Sequence, residues 1–598
     1  MNRPETRLPV EDLNIIVAGQ GGDGSLTVIN LLATVLQQSG LKVYTERDVL
    51  SRIKGGLTSA TLRAFKGDRY CIGGHIDLLM AFDPDAIEKR AKQLAAGSIV
   101  IYDNSGGDIR EGLLDPDVRV YGAPFARQAV KSFRRDLFKN SIGFAVAGRA
   151  LGLADDFMRA TFERRFARSG PQNLKYNLDA LALGLSLADE LGMSAGHGLY
   201  EIVPTERHQR LLITGNDAAA FGFLAAGGRF FAGYPITPST DVMEWLDKYI
   251  ADFGGVVRQA EDELSAINMA LGAALTGVRT MTATSGPGLS LMQEGIGQAG
   301  AAEIPLVVID VQRGGPSTGL PTKPEQSDFD LMIFGGHGEF TRAVLAPGST
   351  EDCFYLTALA TELSQRYQMP IYVALDQALG QNSASVEPFD FSRVTVDNRP
   401  RYSAGEVAQR DIYKRYAVTE NGVSPYTIPG TPDGMWLVTG NEHDEFGHVS
   451  AAPGNRKKQM DKRASKLLSM VPDLPRAGRY GDPTAKIGFI GVGLTYGTIL
   501  EAMEALADHG IATQYFQPKT VWPVLDETLE FIASCDRVYV VEYNSTAQLA
   551  KLFVREGADG SKIENVLKYD GAVLQISELV AEVLSHEVAH YEREVNAA

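Results

Sequence analysis

Residues 231–240 constrain the fold more than any other stretch of the chain; they read Phe-Ala-Gly-Tyr-Pro-Ile-Thr-Pro-Ser-Thr. An apolar strand end runs into Gly233, and Pro235 and Pro238 then bracket Thr237. Proline fixes φ and biases the preceding residue towards extended backbone, so the Thr237 hydroxyl is held at the end of a strand. Ser239 or Thr240 is predicted to cap a helix over 242–249. These residues alone fit a rigid strand-to-helix turn as well as they fit a binding site.

Composition narrows the class of protein. A chain of 598 residues is too long for one core and predicts three or four domains. The net charge of −17, with no offsetting basic run, argues against a nucleic-acid or anionic-membrane partner. The longest apolar stretches, such as 304–311, are too short to span a membrane, and the N-terminus lacks the apolar core of a signal peptide. We therefore expect a cytoplasmic protein.

Cysteine usage excludes two kinds of metal site. The chain has only Cys71, Cys353 and Cys535, each isolated, and no Cys-x-x-Cys. Neither a local zinc site nor a four-cysteine iron–sulfur cluster can be built from them. Each is predicted to be a small buried hydrophobe.

Strands and helices alternate along three α/β segments. The first covers 1–195 and begins with a strand at 13–18, a glycine-rich turn and a helix at 27–39. The second covers 208–392, with strands at 230–232, 280–283, 306–311 and 371–375. Residues 393–480 are polar and weakly periodic, and we interpret them as an ordered connector because Trp436 and apolar neighbours are unusual in a disordered linker. The third segment covers 481–598.

The glycine-rich turn admits two ligand hypotheses. Gly19, Gly21 and Gly24 match Gly-x-Gly-x-x-Gly, and Glu46 follows some twenty residues later, as a dinucleotide site would need. A structural turn is the alternative, and the rest of the chain favours it. The triplet at 22–24, Gly-Asp-Gly, also opens a known Mg²⁺ motif, but no Asn follows at the required spacing over 45–55. We reject a metal site there.

Three loops of the second segment carry candidate chemistry. Glu261, Asp262 and Glu263 precede a helix of small residues, where acids could be helix caps or a catalytic carboxylate. Thr284 and Ser285 follow a strand and fit either a cleft or an ordinary turn. Arg313 ends a buried strand among glycines and hydroxyls, which suits bidentate capture of a carboxylate better than a solvated surface role.

The chain resembles the large subunit of a two-subunit 2-oxoacid:ferredoxin oxidoreductase. The resemblance rests on Tyr-Pro-Ile-Thr-Pro at 234–238, the acidic start of the small-residue helix and the Arg-Gly-Gly-Pro loop at 313–316. Motif matches extend from residue 15 to about 550. The resemblance implies an α/β fold of three α/β domains: an N-terminal gamma-like domain (1–195), a thiamine pyrimidine-binding domain (208–392) and a transketolase C-terminal-like domain (481–598).

The resemblance also implies site residues. Glu263 would hold the aminopyrimidine ring of thiamine diphosphate, with Glu261 as the second choice. The substrate-binding residues would be Thr237, Arg313 and Thr322, with Lys323 as a possible distal contact. The cofactor cleft would be lined by Tyr234, Pro235, Glu263, Thr284 and Ser285.

A partner subunit follows from what the sequence lacks. Without a diphosphate–Mg²⁺ motif or cluster cysteines, the chain needs a beta subunit that carries thiamine diphosphate with Mg²⁺ and a [4Fe-4S] cluster. The implied reaction is coenzyme A-dependent oxidative decarboxylation with ferredoxin as acceptor, in an (alpha–beta)₂ heterotetramer. We expect 2-oxoglutarate as substrate, with pyruvate or a branched-chain 2-oxoacid as alternatives. The rival hypotheses are a flavin- or nicotinamide-binding electron-transfer subunit that uses the glycine loop, and a purely structural subunit.

One segment of the connector stays open. Residues 441–448 hold two histidines and three acids, which could suggest a metal site. Gly447 and the absence of helical periodicity favour a polar interface loop instead.

Overall fold

The computed structural model describes residues 8–21, 24–49, 57–194, 198–202, 209–398 and 400–597. It divides into two compact units: unit 1 is Met1–Ile213 with Asn382–Pro388, and unit 2 is Thr214–Gln381 with Phe389–Ala598. The finer boundaries predicted above at 195, 392 and 480 stay predictions, and the predicted turn at 195–197 lies outside the described residues.

The strands are numbered here in chain order. They are β1 Leu8–Pro9, β2 Asp12–Gln20, β3 Lys42–Val49, β4 Leu57–Phe65, β5 Ile76–Ala81, β6 Leu94–Asp103, β7 Arg119–Ala123, β8 Tyr200–Glu201, β9 Leu211–Thr214, β10 Phe230–Gly233, β11 Val256–Gln259, β12 Thr280–Thr284, β13 Leu306–Gln312, β14 Ala343–Leu345, β15 Pro370–Asp376, β16 Ser383–Val386, β17 Gly478–Gly481, β18 Ile487–Ile490, β19 Thr513–Gln517, β20 Thr520–Trp522, β21 Arg537–Glu542 and β22 Ile563–Leu567.

The α-helices are numbered in the same way. They are α1 Ser25–Gln38, α2 Pro84–Arg90, α3 Phe125–Phe133, α4 Lys139–Ala150, α5 Asp155–Phe166, α6 Pro171–Glu190, α7 Gly215–Ala225, α8 Thr240–Tyr249, α9 Glu263–Leu275, α10 Gly286–Ala301, α11 Phe329–Phe334, α12 Thr350–Tyr367, α13 Gln377–Gln381, α14 Ala404–Ala408, α15 Pro453–Met470, α16 Thr495–Asp508, α17 Asp526–Ser534, α18 Gln548–Arg555 and α19 Ile576–Ala597.

Unit 1 is built around an eight-stranded sheet in the order β7-β6-β5-β2-β4-β3-β16-β9. Strands β2, β5, β6 and β7 are parallel, whereas β4 is antiparallel to both β2 and β3. Helices α1, α4, α5 and α6 cover one apolar core, to which Val28, Leu32 and Phe144 contribute. The short strands β1 and β8 form a separate parallel pair.

Unit 2 contains two sheets. The first has seven strands in the order β11-β10-β12-β13-β15-β14-β20, all parallel except β20, which runs antiparallel to β14. The second has the order β17-β19-β18-β21-β22. Strands β13 and β15 are buried along their whole length, as the unbroken apolar runs at 306–311 and 371–375 predict for inner parallel strands. Strand β20 belongs to the predicted C-terminal domain by sequence but pairs with the first sheet.

Helix α15 was not predicted. Its buried side chains include Gln459, Lys462, Arg463 and Lys466, so it has no apolar stripe for a hydrophobic period to detect. The two lysines face Glu303, which follows the C-terminus of α10: Lys462 Nζ lies 2.7 Å from Glu303 Oε1, and Lys466 Nζ binds the other oxygen. The main-chain carbonyl of Glu303 accepts a hydrogen bond from Arg415 at 2.8 Å. A buried ionic cluster therefore attaches the connector to the first sheet of unit 2.

The mixed α/β class with parallel-rich sheets is confirmed. The three cysteines are free and buried, as predicted. In the part of the chain that the structure describes, no helix is long and apolar enough to cross a membrane.

Candidate active site

The candidate residues follow three neighbouring parallel strands of unit 2. Strand β12 lies between β10 and β13. Residues 234–237 follow β10, Ser285 follows β12, and Arg313 follows β13. Because the carboxyl ends of parallel strands share one edge of a sheet, these loops lie on one side of it, where α/β proteins commonly bind ligands.

Arg313 joins two of these loops. Its Nη1 donates a hydrogen bond to the main-chain carbonyl of Thr237, and its Nη2 donates to the carbonyl of Thr318 at 3.3 Å. The residue is 7% exposed, its Nε has no hydrogen-bond partner, and no carboxylate among the described residues forms an ion pair with it. Burial lowers the pKa of Arg313, and the nearby Asp328 opposes that effect. A buried guanidinium without an ion pair is suited to bind an anionic ligand.

Thr322 is brought back towards Arg313 by a tight loop. Gly314 pairs with Leu320 in an isolated bridge, and the Gly314 N–H donates to the carbonyl of Lys323 at 3.2 Å. Thr322 and Lys323 therefore lie beside the residue that follows Arg313. Further along, the Gln326 N–H donates to the carbonyl of Tyr543 at 2.7 Å, which anchors the loop to the region of β21.

The three acids before α9 have different environments. Asp262 is the N-cap, and its side chain accepts a hydrogen bond from the Ser265 N–H at 2.7 Å. Glu261 is exposed and accepts from the Ser265 hydroxyl, also at 2.7 Å. Glu263 is only 6% exposed, and no hydrogen bond to its carboxylate is found among the described residues. The helix-cap interpretation therefore holds for Asp262, and Glu263 is the buried carboxylate of the three.

Gly288 lets the Glu263 carboxylate approach the start of α10. A Cβ built on Gly288 would lie 2.6 Å from Glu263 Oε1 and 2.1 Å from Thr284 Oγ1, which no side chain could accommodate without displacing both. The Ser285 hydroxyl is buried beside them and has no hydrogen-bond partner within the described part of the chain. Glu263, Thr284 and Ser285 thus present a carboxylate and hydroxyls in one small region.

The turn after β10 differs from expectation in one detail. Ser239 occupies the N-cap of α8, but its hydroxyl donates to the carbonyl of Ile236 at 3.0 Å instead of accepting from the helix. Thr240 is already the first helical residue, so the predicted side-chain cap at either residue is wrong. Tyr234 is 40% exposed and Pro235 is partly buried at the edge of the site.

Two supporting groups were missed. Asn216, fully buried in α7, donates through Nδ2 to the carbonyl of Pro238 at 2.9 Å and so supports the loop that carries Thr237. Asp310, fully buried in β13, faces Asp328. The only sequence signal for Asp310 was a charge inside an apolar run, Leu-Val-Val-Ile-Asp-Val-Gln at 306–312.

The glycine loop of unit 1 lacks the geometry of a dinucleotide site. Strand β4 lies between β2 and β3, so the strand that carries Glu46 is not the neighbour of the strand that leads into the loop. The side chain of Asn140 packs against Gly24, 2.1 Å from where a Cβ would lie. Gly22 and Asp23, the start of the rejected Mg²⁺ triplet, lie outside the described residues.

The acids of the segment 441–448 have protein partners. Glu442 accepts hydrogen bonds from Arg463 at 2.7 and 3.1 Å and from Arg456. The Asp444 side chain accepts from the main-chain N–H groups of Phe446 and His448 at 2.9 and 3.0 Å. These contacts are those of an ordered polar turn.

Two family models match the chain. The description "Pyruvate ferredoxin/flavodoxin oxidoreductase" covers residues 14–187, and "Pyruvate flavodoxin/ferredoxin oxidoreductase, thiamine diP-bdg" covers residues 222–461. A 2-oxoacid:ferredoxin oxidoreductase subunit alpha of Saccharolobus solfataricus is 30% identical over 592 residues, which are 88% of this chain and 91% of that protein. The chain belongs to the family of 2-oxoacid:ferredoxin oxidoreductase alpha subunits.

Other relatives in this oxidoreductase family agree. The 2-oxoglutarate synthase subunit KorA of Methanothermobacter marburgensis is 34% identical over 382 residues, which are 63% of this chain and 99% of that protein. A solved 2-oxoglutarate:ferredoxin oxidoreductase from Magnetococcus marinus, with 2-oxoglutarate, coenzyme A and succinyl-CoA bound, is 33% identical. It matches with a TM-score of 0.88 over 96% of this chain and 99% of its own. The predicted family, oxidoreductase class and thiamine diphosphate-binding domain are confirmed, whereas the roles of individual site residues stay predictions.

Proposed function

We propose that this alpha subunit supplies the pyrimidine-binding half of a thiamine diphosphate site and the carboxylate-binding residues of a coenzyme A-dependent 2-oxoglutarate:ferredoxin oxidoreductase. The observation that carries the proposal is the burial of the Glu263 carboxylate, which accepts no hydrogen bond from the described residues and lies at the carboxyl edge of a parallel sheet. A carboxylate in that position can hold and exchange a proton with a ring nitrogen.

The described residues fit thiamine diphosphate. Glu263 would face the aminopyrimidine ring, and the partnerless Ser285 hydroxyl, with Thr284, Tyr234 and Pro235, would line the cleft. When bound, the cofactor supplies the nucleophilic carbon and the electron sink for loss of CO₂ from a 2-oxoacid. Glu263 would move the proton at the ring nitrogen that makes this carbon reactive, and Gly288 would leave room for its carboxylate.

The substrate residues would act on the other side of the cleft. Arg313 would bind the 2-oxoacid carboxylate through its unused donors, while its bond to the Thr237 carbonyl fixes the direction of the guanidinium. Thr237 and Thr322 would add hydroxyl contacts. The choice of 2-oxoglutarate over pyruvate or a branched-chain 2-oxoacid is supported by the names of the relatives and by the ligands of the solved neighbour.

The remaining machinery would come from a beta subunit. The three cysteines of this chain are buried and far apart in sequence, so a [4Fe-4S] cluster, like the Mg²⁺ that binds the diphosphate, belongs on the partner. Electrons would pass through that cluster to ferredoxin, and two alpha–beta pairs would form the heterotetramer. A flavin- or nicotinamide-binding subunit is the second hypothesis, but the strand order around the glycine loop does not favour it.

The test is reconstitution. The chain is purified alone and together with the proposed beta subunit from the same organism, and reduction of a viologen dye is measured with thiamine diphosphate, Mg²⁺, coenzyme A and each of several 2-oxoacids. We expect no activity from the single chain, activity from the complex, and the highest kcat/KM for 2-oxoglutarate. Activity of the single chain would contradict the assignment of the diphosphate–Mg²⁺ site and the cluster to a beta subunit. A visible flavin spectrum of the purified chain would favour the second hypothesis.

A further inference from the structure

A pair of buried acids lies directly behind the candidate substrate residues. Asp310 is fully buried in β13. Neither of its carboxylate oxygens accepts a hydrogen bond from the residues that the structure describes. Asp310 is in register with Thr284 on β12. Its carboxyl group lies near that of Asp328, and each carboxyl group affects the pKa of the other. Two neighbouring buried carboxyl groups cannot both be ionised without a large cost in free energy, so one of them carries a proton.

Asp328 connects this pair to the site. A Cβ built on Gly286, at the start of α10, would lie 2.7 Å from Asp328 Oδ2, so the carboxyl group lies against the loop that carries Ser285. Its main-chain N–H donates to Gln312 Oε1 at 3.0 Å, which keeps it beside the end of β13. Arg313 directly follows Gln312 in the chain. It attracts the Asp328 carboxylate electrostatically without forming an ion pair.

The charged groups around the pair are few. Glu325 and Arg313 face Asp328, Tyr372 on β15 lies beside Asp310, and Arg342 in turn faces Tyr372. Burial raises the pKa of Asp310 well above its usual value, and the neighbouring Asp328 adds to this effect. Burial and Glu325 raise the pKa of Asp328 to about 6, although Arg313 acts in the opposite direction. Near neutral pH the pair therefore carries one proton and one negative charge, and that charge balances Arg313.

We propose that the Asp310–Asp328 pair is the internal counter-ion of Arg313 and that it takes up a proton from solvent when a 2-oxoacid carboxylate binds to Arg313. The inference rests on the proposed substrate-binding role of Arg313. An incoming carboxylate replaces the negative charge of Asp328 as the partner of the guanidinium. Two anions beside one buried cation are unfavourable, so protonation of Asp328 accompanies binding. Asp328 is thus a positioning residue that sets how substrate affinity depends on pH.

The first test measures the proton directly. Oxamate, an unreactive carboxylate with the shape of pyruvate, is titrated calorimetrically into the complex in two buffers with different ionisation enthalpies at a pH above 6. We expect proton uptake approaching one per site for the wild type and none for Asp328→Asn. Binding of oxamate without proton uptake by the wild type would refute the inference and leave the proposed function intact.

The second test uses steady-state kinetics on the same complex. The KM for 2-oxoglutarate should rise with pH above about 6 in the wild type, by up to about tenfold per pH unit, and should be flat in Asp328→Asn. Asp310→Asn is the matched variant. It retains Asp328 as a titrating group, so the KM should still rise with pH. Equal slopes in the wild type and Asp328→Asn contradict the inference.

A third measurement detects the protonated carboxyl group in the wild type, so that the inference can be tested even if the variants fail to fold. Infrared difference spectra of the full wild-type chain between neutral and alkaline pH should contain the C=O band of a protonated carboxyl group, and Asp310→Asn should lose it. Absence of that band in the wild type would exclude a shared proton. If no 2-oxoacid is turned over and oxamate does not bind, the proposed function itself fails.

Discussion

Arg313 reaches across the end of β12 to the main-chain carbonyl of Thr237, so the residue that follows β13 holds the loop that follows β10. The two residues are far apart in sequence, and each follows its own strand with a proline-containing loop. A change at Arg313 is therefore expected to affect both the binding of a carboxylate and the position of Thr237.

Replacement of Arg313 by Lys should raise the KM for the 2-oxoacid by about 10- to 100-fold, since an ammonium group cannot make the planar two-point contact with a carboxylate. The measurement is steady-state kinetics of the complex with 2-oxoglutarate and with pyruvate. Arg159→Lys, on the exposed surface of α5 in an ion pair with Glu163, is the matched control. An unchanged KM for every 2-oxoacid would remove Arg313 from the substrate site.

Glu263→Gln should lower kcat by ~10²–10⁴-fold, because the amide cannot exchange the proton that the ring nitrogen requires. The complex should still assemble, which size-exclusion chromatography can verify. Glu261→Gln is the control, since the Glu261 carboxylate is exposed and bound to the Ser265 hydroxyl. Normal turnover in Glu263→Gln combined with loss in Glu261→Gln would show that the wrong glutamate was assigned.

Gly288→Ala tests the close approach of Glu263. The new Cβ would overlap Glu263 Oε1 and Thr284 Oγ1, at a cost of about 1–3 kcal/mol in packing, and should lower kcat by displacing the carboxylate. Gly454→Ala is closely matched, because each glycine follows a proline in the first turn of a helix and Gly454 has no atom within 4 Å of the new Cβ. Equal activities of the two variants would contradict the assigned geometry.

Glu303→Gln should lower the free energy of unfolding by about 3–5 kcal/mol at neutral pH, because it leaves Lys462 and Lys466 buried without an anion. Urea denaturation followed by circular dichroism measures the loss. Glu406→Gln, at the exposed capping box of α14, is the control.

The same variant has an expected pH dependence. Burial lowers the pKa of Lys466 to about 7, below its unfolded value, although Glu303 opposes this shift. The folded chain therefore binds fewer protons than the unfolded chain above about pH 7, and stability rises with pH from there towards the ordinary lysine pKa. The loss caused by Glu303→Gln should shrink when the measurement is repeated at about pH 9. A loss that does not change with pH would show that Lys466 is not the titrating group.

The local sequence pattern predicted the elements whose buried residues are all of one kind, apolar or small. The apolar run at 306–311 forms β13, Leu306–Gln312, and the small-residue helix predicted after the three acids forms α9, Glu263–Leu275. Helix α15 was not predicted because its buried face is formed by lysines and an arginine. Their charges are compensated by ion pairs with Glu303 and Glu442, which are distant in sequence. Hydrophobic periodicity cannot detect a face that is buried by ion pairing.

In the candidate site too, residues in local motifs could be predicted from the sequence, whereas residues that act through distant contacts could not. Thr237, Glu263 and Arg313 could be selected because each lies in or beside a motif through which the chain resembles the family. Asn216 and Asp328 could not, because their importance lies in contacts with Pro238 and Asp310 that local sequence does not encode. The residues alone do not distinguish Glu261 from Glu263; the structure adds that Glu263 is buried and Glu261 exposed, and the assignment of the catalytic carboxylate stays a prediction.

Strand β20 has a practical consequence for dividing the chain. Val344 and Leu345 on β14 pair with Trp522 and Thr520, so the sheet that carries Thr237, Glu263 and Arg313 is completed by residues beyond position 500. A truncation after the connector would expose the edge of β14 as a row of unpaired amides and carbonyls, which is a template for aggregation. We therefore expect the segment matched by the thiamine diphosphate-binding family model to need the C-terminal region for stable folding, so fusions or split versions of this subunit should keep that region in the same polypeptide.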